Sequence, residues 1–175
     1  MRLLEVLRTA EDVETHLVVS DWAGKNIECE TEYDLDSVKS LADAVYDVRD
    51  MGAAISSGSF LVNGMIIAPC SVKTLSSVAN AYNDNLLTRA ADIQLKDRRK
   101  LVLLFRETPL NRTHLRLMLD VTDAGGVVMP PVPSMYHAPK TVDDIVNHTV
   151  QRALDQFGIE KGLFTRWRGL PAHGA

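Results

Sequence analysis

Short apolar runs alternate with longer amphipathic stretches along the chain, and this alternation predicts βα units that feed a mostly parallel sheet with helices on both faces. Strands are expected over residues 14–19, 64–69, 101–105 and 127–129, each bounded by turn or cap residues. Leu75, Val78, Ala79 and Tyr82 recur at helical spacing, and so do Leu87, Ala90, Ala91 and Leu95, so each set predicts a core-facing helix. Leu115, Met118 and Leu119 form a third stripe, stopped by Gly125-Gly126, where glycine tolerates a left-handed cap. The longest period runs through Val142, Ile145, Val146, Thr149, Val150, Ala153, Leu154 and Phe157. Thr141 opens it with Asp144 three positions on, and Gly158 closes it. Leu3, Leu4 and Leu7 describe an amphipathic helix with no strand before it. A sheet of this class normally opens on a strand, so about 15 to 20 preceding residues are expected from ordinary element and loop lengths. Residues 161–175 hold Trp167 and a Gly169-Leu170-Pro171 turn but no period, which suits an arm on a neighbouring subunit or a frayed end.

Composition narrows the class. With 175 residues, 46% apolar and 24% charged, the chain reads as one α/β domain able to bury its own core. Cys29 and Cys70 stand far apart with no Cys or His partner at ligand spacing, so neither a zinc site nor a disulfide framework is expected, and the cytoplasm is the expected compartment. No apolar run reaches the roughly 18 residues of a membrane helix. A net charge of −4 argues against a general nucleic-acid binder while leaving room for local cationic pockets.

Candidate chemistry concentrates where strands end. Pro69-Cys70-Ser71-Val72-Lys73-Thr74 follows a buried strand and opens a helix, so hydroxyls, backbone amides and a helix N-terminus converge on a place that favours an anion or a polar ring edge. It lacks the glycines of a Walker loop, and a simple Ser/Thr cap with a surface lysine is the plainer alternative. Arg106-Glu107 occupies the equivalent place after the next strand, either facing a phosphate or flavin edge or closing on itself as an ion pair. Arg89 and Lys96 share one helix face, as a cationic wall or a solvated stripe. The prolines of Met129-Pro130-Pro131-Val132-Pro133 stiffen the approach to Tyr136, which either covers a substrate or packs. Arg152 falls off the apolar stripe of the last helix. The five histidines, His16, His114, His137, His148 and His173, show no metal spacing and no nucleophile partner.

Five ordered segments together resemble the UbiX family of flavin prenyltransferases. They are Ser57-Gly58-Ser59-Phe60, the stretch 64–74, the stretch 84–92, Arg106-Glu107-Thr108-Pro109-Leu110 and the stretch 129–137. The resemblance implies a Rossmann-like or flavodoxin-like three-layer fold, a homododecamer, and transfer of a dimethylallyl group from dimethylallyl phosphate to N5 and C6 of reduced FMN, without a metal. It also implies that the prenylated FMN serves a UbiD-type decarboxylase, in ubiquinone biosynthesis or in aromatic acid decarboxylation. Residue by residue, it assigns Ser20, Ser71, Val72, Lys73, Thr74 and Arg106 to FMN, and Arg89, Lys96, Tyr136 and Arg152 to dimethylallyl phosphate. Glu30 and Glu107 are assigned as acids, with Lys96 helping the phosphate leave. Several of these cations are expected from a neighbouring subunit.

The family's first strand and its glycine loop for the FMN phosphate precede the position that Met1 matches, so the intact activity is expected of a longer chain. The tail at 164–171 is similar to that of the B subunits of phenolic acid decarboxylase systems. This leaves open a non-catalytic flavin-binding or accessory subunit of such a system. A flavin-dependent cysteine decarboxylase of the related fold is disfavoured by Glu30, Tyr136 and Arg152.

Overall fold

The computed structural model describes residues 1–169. The chain divides into two compact units, Met1–Pro131 and Val132–Ala175. The first contains α1 (Arg2–Leu7), β1 (His16–Val18), α2 (Asp21–Glu30), α3 (Leu35–Lys39), β2 (Ala44–Tyr46), a single 3-10 turn (Ala54–Ser56), β3 (Gly64–Cys70), α4 (Val72–Ala79), α5 (Leu86–Lys96), β4 (Lys100–Phe105), α6 (Arg112–Asp123) and β5 (Val127–Val128). The second contains α7 (Val142–Asp155).

Every strand pair is parallel, as the βα alternation requires. The strands nevertheless form two ladders rather than the one sheet expected: β1 pairs with β2, and β3, β4 and β5 form a second sheet in that order. Strand β4 lies between β3 and β5, and Leu101, Val102 and Leu103 are wholly buried. An uninterrupted apolar run is what a central parallel strand needs when helices cover both faces. Around it, Ile67, Leu75, Ala91, Phe105, Leu117 and Val121 complete the core. Truncating one such leucine to alanine costs about 2–5 kcal/mol, from lost transfer energy and the cavity left behind.

Several faces differ from the periodic reading. In α6 the buried positions are Leu117 and Val121, with Met118 partly buried, while Leu115 and Leu119 are more than half exposed. The helix carries apolar residues on two sides, and close packing on Gly126 selects one. A Cβ at Gly126 would lie 2.7 Å from Val121 Cγ1, so glycine lets Val121 settle against the start of β5. Tyr82 does not extend the α4 stripe. That helix ends at Ala79, Asn80 Nδ2 donates to the Ser76 carbonyl at 2.7 Å, and Ala81 turns the chain at φ +50, leaving Tyr82 exposed. In α7, Val142 and Val146 face outward, while Val150, Ala153 and Leu154 are buried together with His148 and Gln151.

The caps follow the sequence. Thr141 and Asp144 form the expected capping box, and Gly125 and Gly158 take positive φ at the helix ends. Strand β2 and helices α2 and α3 were not anticipated, because three-residue strands and a helix interrupted by Gly24 leave almost no period to read. Residues 161–169 carry no regular structure. Leu170 and Pro171 of the expected turn lie outside the described residues.

Candidate active site

The carboxyl ends of β3 and β4 lie side by side. Cys70 pairs in register with Phe105, and the Arg106 N–H donates to the Cys70 carbonyl at 3.1 Å. The 71–74 segment and Arg106-Glu107 therefore leave adjacent strands at the same sheet edge, the place where ligands of open parallel sheets bind. Ser71 caps α4 from an extended backbone, its Oγ accepting from the Thr74 N–H at 3.3 Å and standing 3.2 Å from Thr74 Oγ1. The amides of Val72 and Lys73, in the first turn, have no acceptor inside the helix, and the helix dipole adds positive potential there. Lys73 Nζ is 3.5 Å from Asp84 Oδ2 and remains mostly exposed. Arg106 and Glu107 do not close on each other; Glu107 Oε1 instead accepts from the Thr108 N–H at 3.0 Å.

A second group gathers around the loop that follows the 3-10 turn. Arg89 Nε donates to the Ser56 carbonyl at 3.2 Å, and its Nη1 contacts Asp92 at the same distance. Near the far end of the same helix, Lys96 pairs with Asp97, which also bridges to Arg99 at 3.3 Å. Arg99 in turn donates to the Phe60 carbonyl at 2.9 Å and the Gly58 carbonyl at 2.5 Å. Arg89 and Lys96 thus border one loop, Ser56 to Phe60, as their shared helix face requires. Asp97 and Arg99 were missed as its clamps, since single charges beside a helix end carry no spacing signal.

Ser20 caps α2, accepting from the Ala23 N–H at 3.2 Å, and lines an open cavity of about 650 Å³ with Gly24, Tyr46 and Val48. Charged side chains rim it, among them Lys25, Lys39 and an Arg49–Asp21 pair at 3.0 Å. The other expected FMN contacts do not line this cavity. Glu30 ends α2 in an exposed position, and Glu28 rather than Glu30 borders the space.

In the second unit, Tyr136 Oη lies 2.8 Å from His148 Nε2. His137 and His148 stack with centroids 4.6 Å apart and planes 6° from parallel, and Phe164 packs on His148 at 4.5 Å. Burial first, then the neighbouring His137 and Arg152, lower the pKa of His148, with Asp155 opposing. Arg152 Nη1 is 3.0 Å from Asp155 Oδ2, and Arg166 holds the same carboxylate at 2.6 and 3.1 Å. The arginines, led by Arg166, keep the Asp155 carboxyl below its ordinary range. The two histidines stand eleven positions apart in sequence, so no motif announced their stack.

Both cysteines are free thiols, Cys29 exposed and Cys70 buried. Burial pushes the Cys70 thiol up to about 12, which removes it as a nucleophile despite its place at the end of β3. Among the described residues no group of three His, Cys, Asp or Glu is placed to hold a metal, and no helix is long and apolar enough to cross a membrane.

The Flavoprotein family model matches residues 1–154. The chain is 54% identical over 171 residues to the flavin prenyltransferase UbiX of Escherichia coli, covering 97% of this chain and 90% of that protein. Its fold matches the crystal structure of AnUbiX in complex with FMN and dimethylallyl pyrophosphate at a TM-score of 0.95 and 48% identity, over 97% of this chain and 90% of that one. It also matches a dodecameric FMN-dependent UbiX-like decarboxylase from Escherichia coli at 0.94 and 50%, over 96% and 91% of the two chains. With the parallel α/β fold and the strand-end motifs in place, these matches establish that the chain belongs to the UbiX family of flavin prenyltransferases.

Proposed function

We propose that this protein transfers a dimethylallyl group from dimethylallyl phosphate to reduced FMN. The observation that carries the reading is the 54% identity to a flavin prenyltransferase across 97% of the chain. Reduced FMN, when bound, supplies the nucleophilic N5 and then C6 for ring closure.

The residues present fit a flavin mononucleotide. Ser71, Val72, Lys73 and Thr74 at the start of α4, with Arg106 just past the end of β4, offer hydroxyl, amide and guanidinium donors at one sheet edge, and Ser20 adds a hydroxyl beside a cavity of about 650 Å³. A ligand that is acidic at one end and carbonyl-rich at the other suits such donors. Arg89, Lys96, Tyr136 and Arg152 are the candidates for the donor's phosphate, several of them supplied by neighbouring subunits of the oligomer, and Lys96 stabilises the charge that grows as phosphate leaves. Glu30 and Glu107 act as acids that exchange protons with the departing phosphate and the flavin. The outward Leu115 and Leu119 give a homododecamer, the state of the Escherichia coli neighbour, apolar surface to cover. The product serves a UbiD-type decarboxylase, and the protein works in the cytoplasm, where an exposed thiol such as Cys29 stays reduced.

Incubating the protein anaerobically with reduced FMN and dimethylallyl phosphate tests the reading. Phosphate release is expected together with a flavin heavier by one five-carbon prenyl unit. Tight FMN binding with neither result overturns the proposal in favour of an accessory flavin-binding subunit.

A further inference from the structure

Tyr136 and His148 leave two polarities open for the hydrogen bond between them. If the phenol donates to His148 Nε2, its single hydrogen is consumed and only lone pairs face an anion. If His148 Nε2 donates to the phenol oxygen, that hydrogen is free for a phosphate oxygen, and the two bonds in line polarise each other. Resting on the reading that Tyr136 meets the donor's phosphate, we propose that His148 is a positioning residue for Tyr136, donating from Nε2 so that the phenol O–H points at the anionic substrate.

The surroundings of His148 suit this task. The residue is 8% exposed, and His137 lies flat against its ring while Phe164 packs on it, which fixes the ring plane. Ser134 Oγ stands 3.2 Å from His148 Nε2 and 3.4 Å from His137 Nδ1, tying both rings to the segment that carries Tyr136. Burial, His137 and Arg152 oppose a positive ring, Asp155 favours one, and the Tyr136 hydroxyl is the remaining titratable group against it. A neutral ring carries one N–H, and the proposal places it on Nε2, 2.8 Å from the phenol oxygen.

The test is a kinetic cycle on the FMN-loaded protein with His148→Phe, His148→Gln, Tyr136→Phe and the double variant His148→Phe/Tyr136→Phe, each checked for folding by thermal melting and for flavin binding by absorbance. Losing an aligned hydrogen bond to a charged group should raise KM for dimethylallyl phosphate about tenfold in both phenylalanine variants, with kcat changed less and FMN affinity unchanged. The double variant should be no worse than Tyr136→Phe alone, because His148 acts through that hydroxyl. Glutamine, which keeps a donor at the Nε2 position, should recover most of the loss. If Tyr136→Phe raises KM and His148→Phe does not, or the two effects add, the role of His148 is overturned while the substrate site stands. If Tyr136→Phe leaves KM unchanged, the placement of the phosphate at Tyr136 falls, and this inference falls with it.

Discussion

Arg152 reaches one turn along α7 to Asp155, its Nη1 3.0 Å from the carboxylate Oδ2, while Arg166 grips both oxygens of the same carboxylate. A guanidinium assigned to a phosphate is therefore already partly neutralised. Asp155→Asn should release it, so KM for dimethylallyl phosphate should fall, by about twofold given how weak half-exposed ion pairs are. The same change costs the two arginines a shared acceptor, and the melting temperature should drop by about 2–4 °C. Kinetics and thermal melts measure both, and a raised KM would mean that Asp155 orients Arg152 rather than competing for it.

Gly58 is held where a side chain has no room. An added Cβ would sit 2.5 Å from Asp97 Oδ2 and 3.2 Å from Lys96 Nζ. Since Asp97 is tied to both Lys96 and Arg99, it has little freedom to withdraw. Gly58→Ala should therefore push the loop off its clamp and lower kcat/KM about tenfold or more through Lys96, with about 1 kcal/mol of stability lost. Activity and melting equal to the parent would show that the loop adapts.

Thr15 and Asp43 lock the entrances of β1 and β2 together. The Thr15 N–H and hydroxyl each donate to Asp43 Oδ2 at 2.7 Å, and the Asp43 N–H donates back to Thr15 Oγ1 at 3.0 Å. These bonds, the Thr15 hydroxyl foremost, hold the Asp43 carboxyl below its usual range. Its folded pKa lies under its unfolded one, so the contribution is complete above about pH 4–5 and disappears as pH falls through the folded value. Thr15→Val should melt about 2–4 °C lower than the parent at pH 7, and the gap should narrow below pH 4 in melts across that range. A gap independent of pH would assign the loss to packing instead.

The two thiols should separate by reactivity. At pH 8, iodoacetamide should label Cys29 in the folded protein and spare Cys70, which is buried with its thiol pushed up to about 12. Mass spectrometry should find one adduct per native chain and two after denaturation. Two adducts on the native protein would place the end of β3 in frequent opening.

Strands β3 and β4 were legible because nearly continuous apolar runs bounded by turn residues have few other uses in a chain this polar. The α6 face was misjudged because Leu115 and Leu119 satisfy a helical period as well as Leu117 and Val121 do, and only the contact with Gly126 separates them. Strand β2 escaped notice: three residues of mixed exposure give no alternation to count. At the candidate site, the 71–74 cap and Arg106 could be read from the rule that ligands gather at strand ends, and the register of Cys70 with Phe105 puts them side by side. The Tyr136–His148 contact could not be, since it depends on how the turn before α7 folds back on the helix.

The division of the strands into two ladders carries a dynamic consequence. Hydrogen exchange should not see one cooperative sheet. The β1–β2 pair, three residues per strand, is held by few bonds and should trade its amide protons through local opening. The amides of Leu101, Val102 and Leu103 belong to wholly buried residues in a strand flanked on both sides, and should exchange only when the first unit unfolds as a whole. The same protein would then report two opening free energies, with the slower clock set by β4.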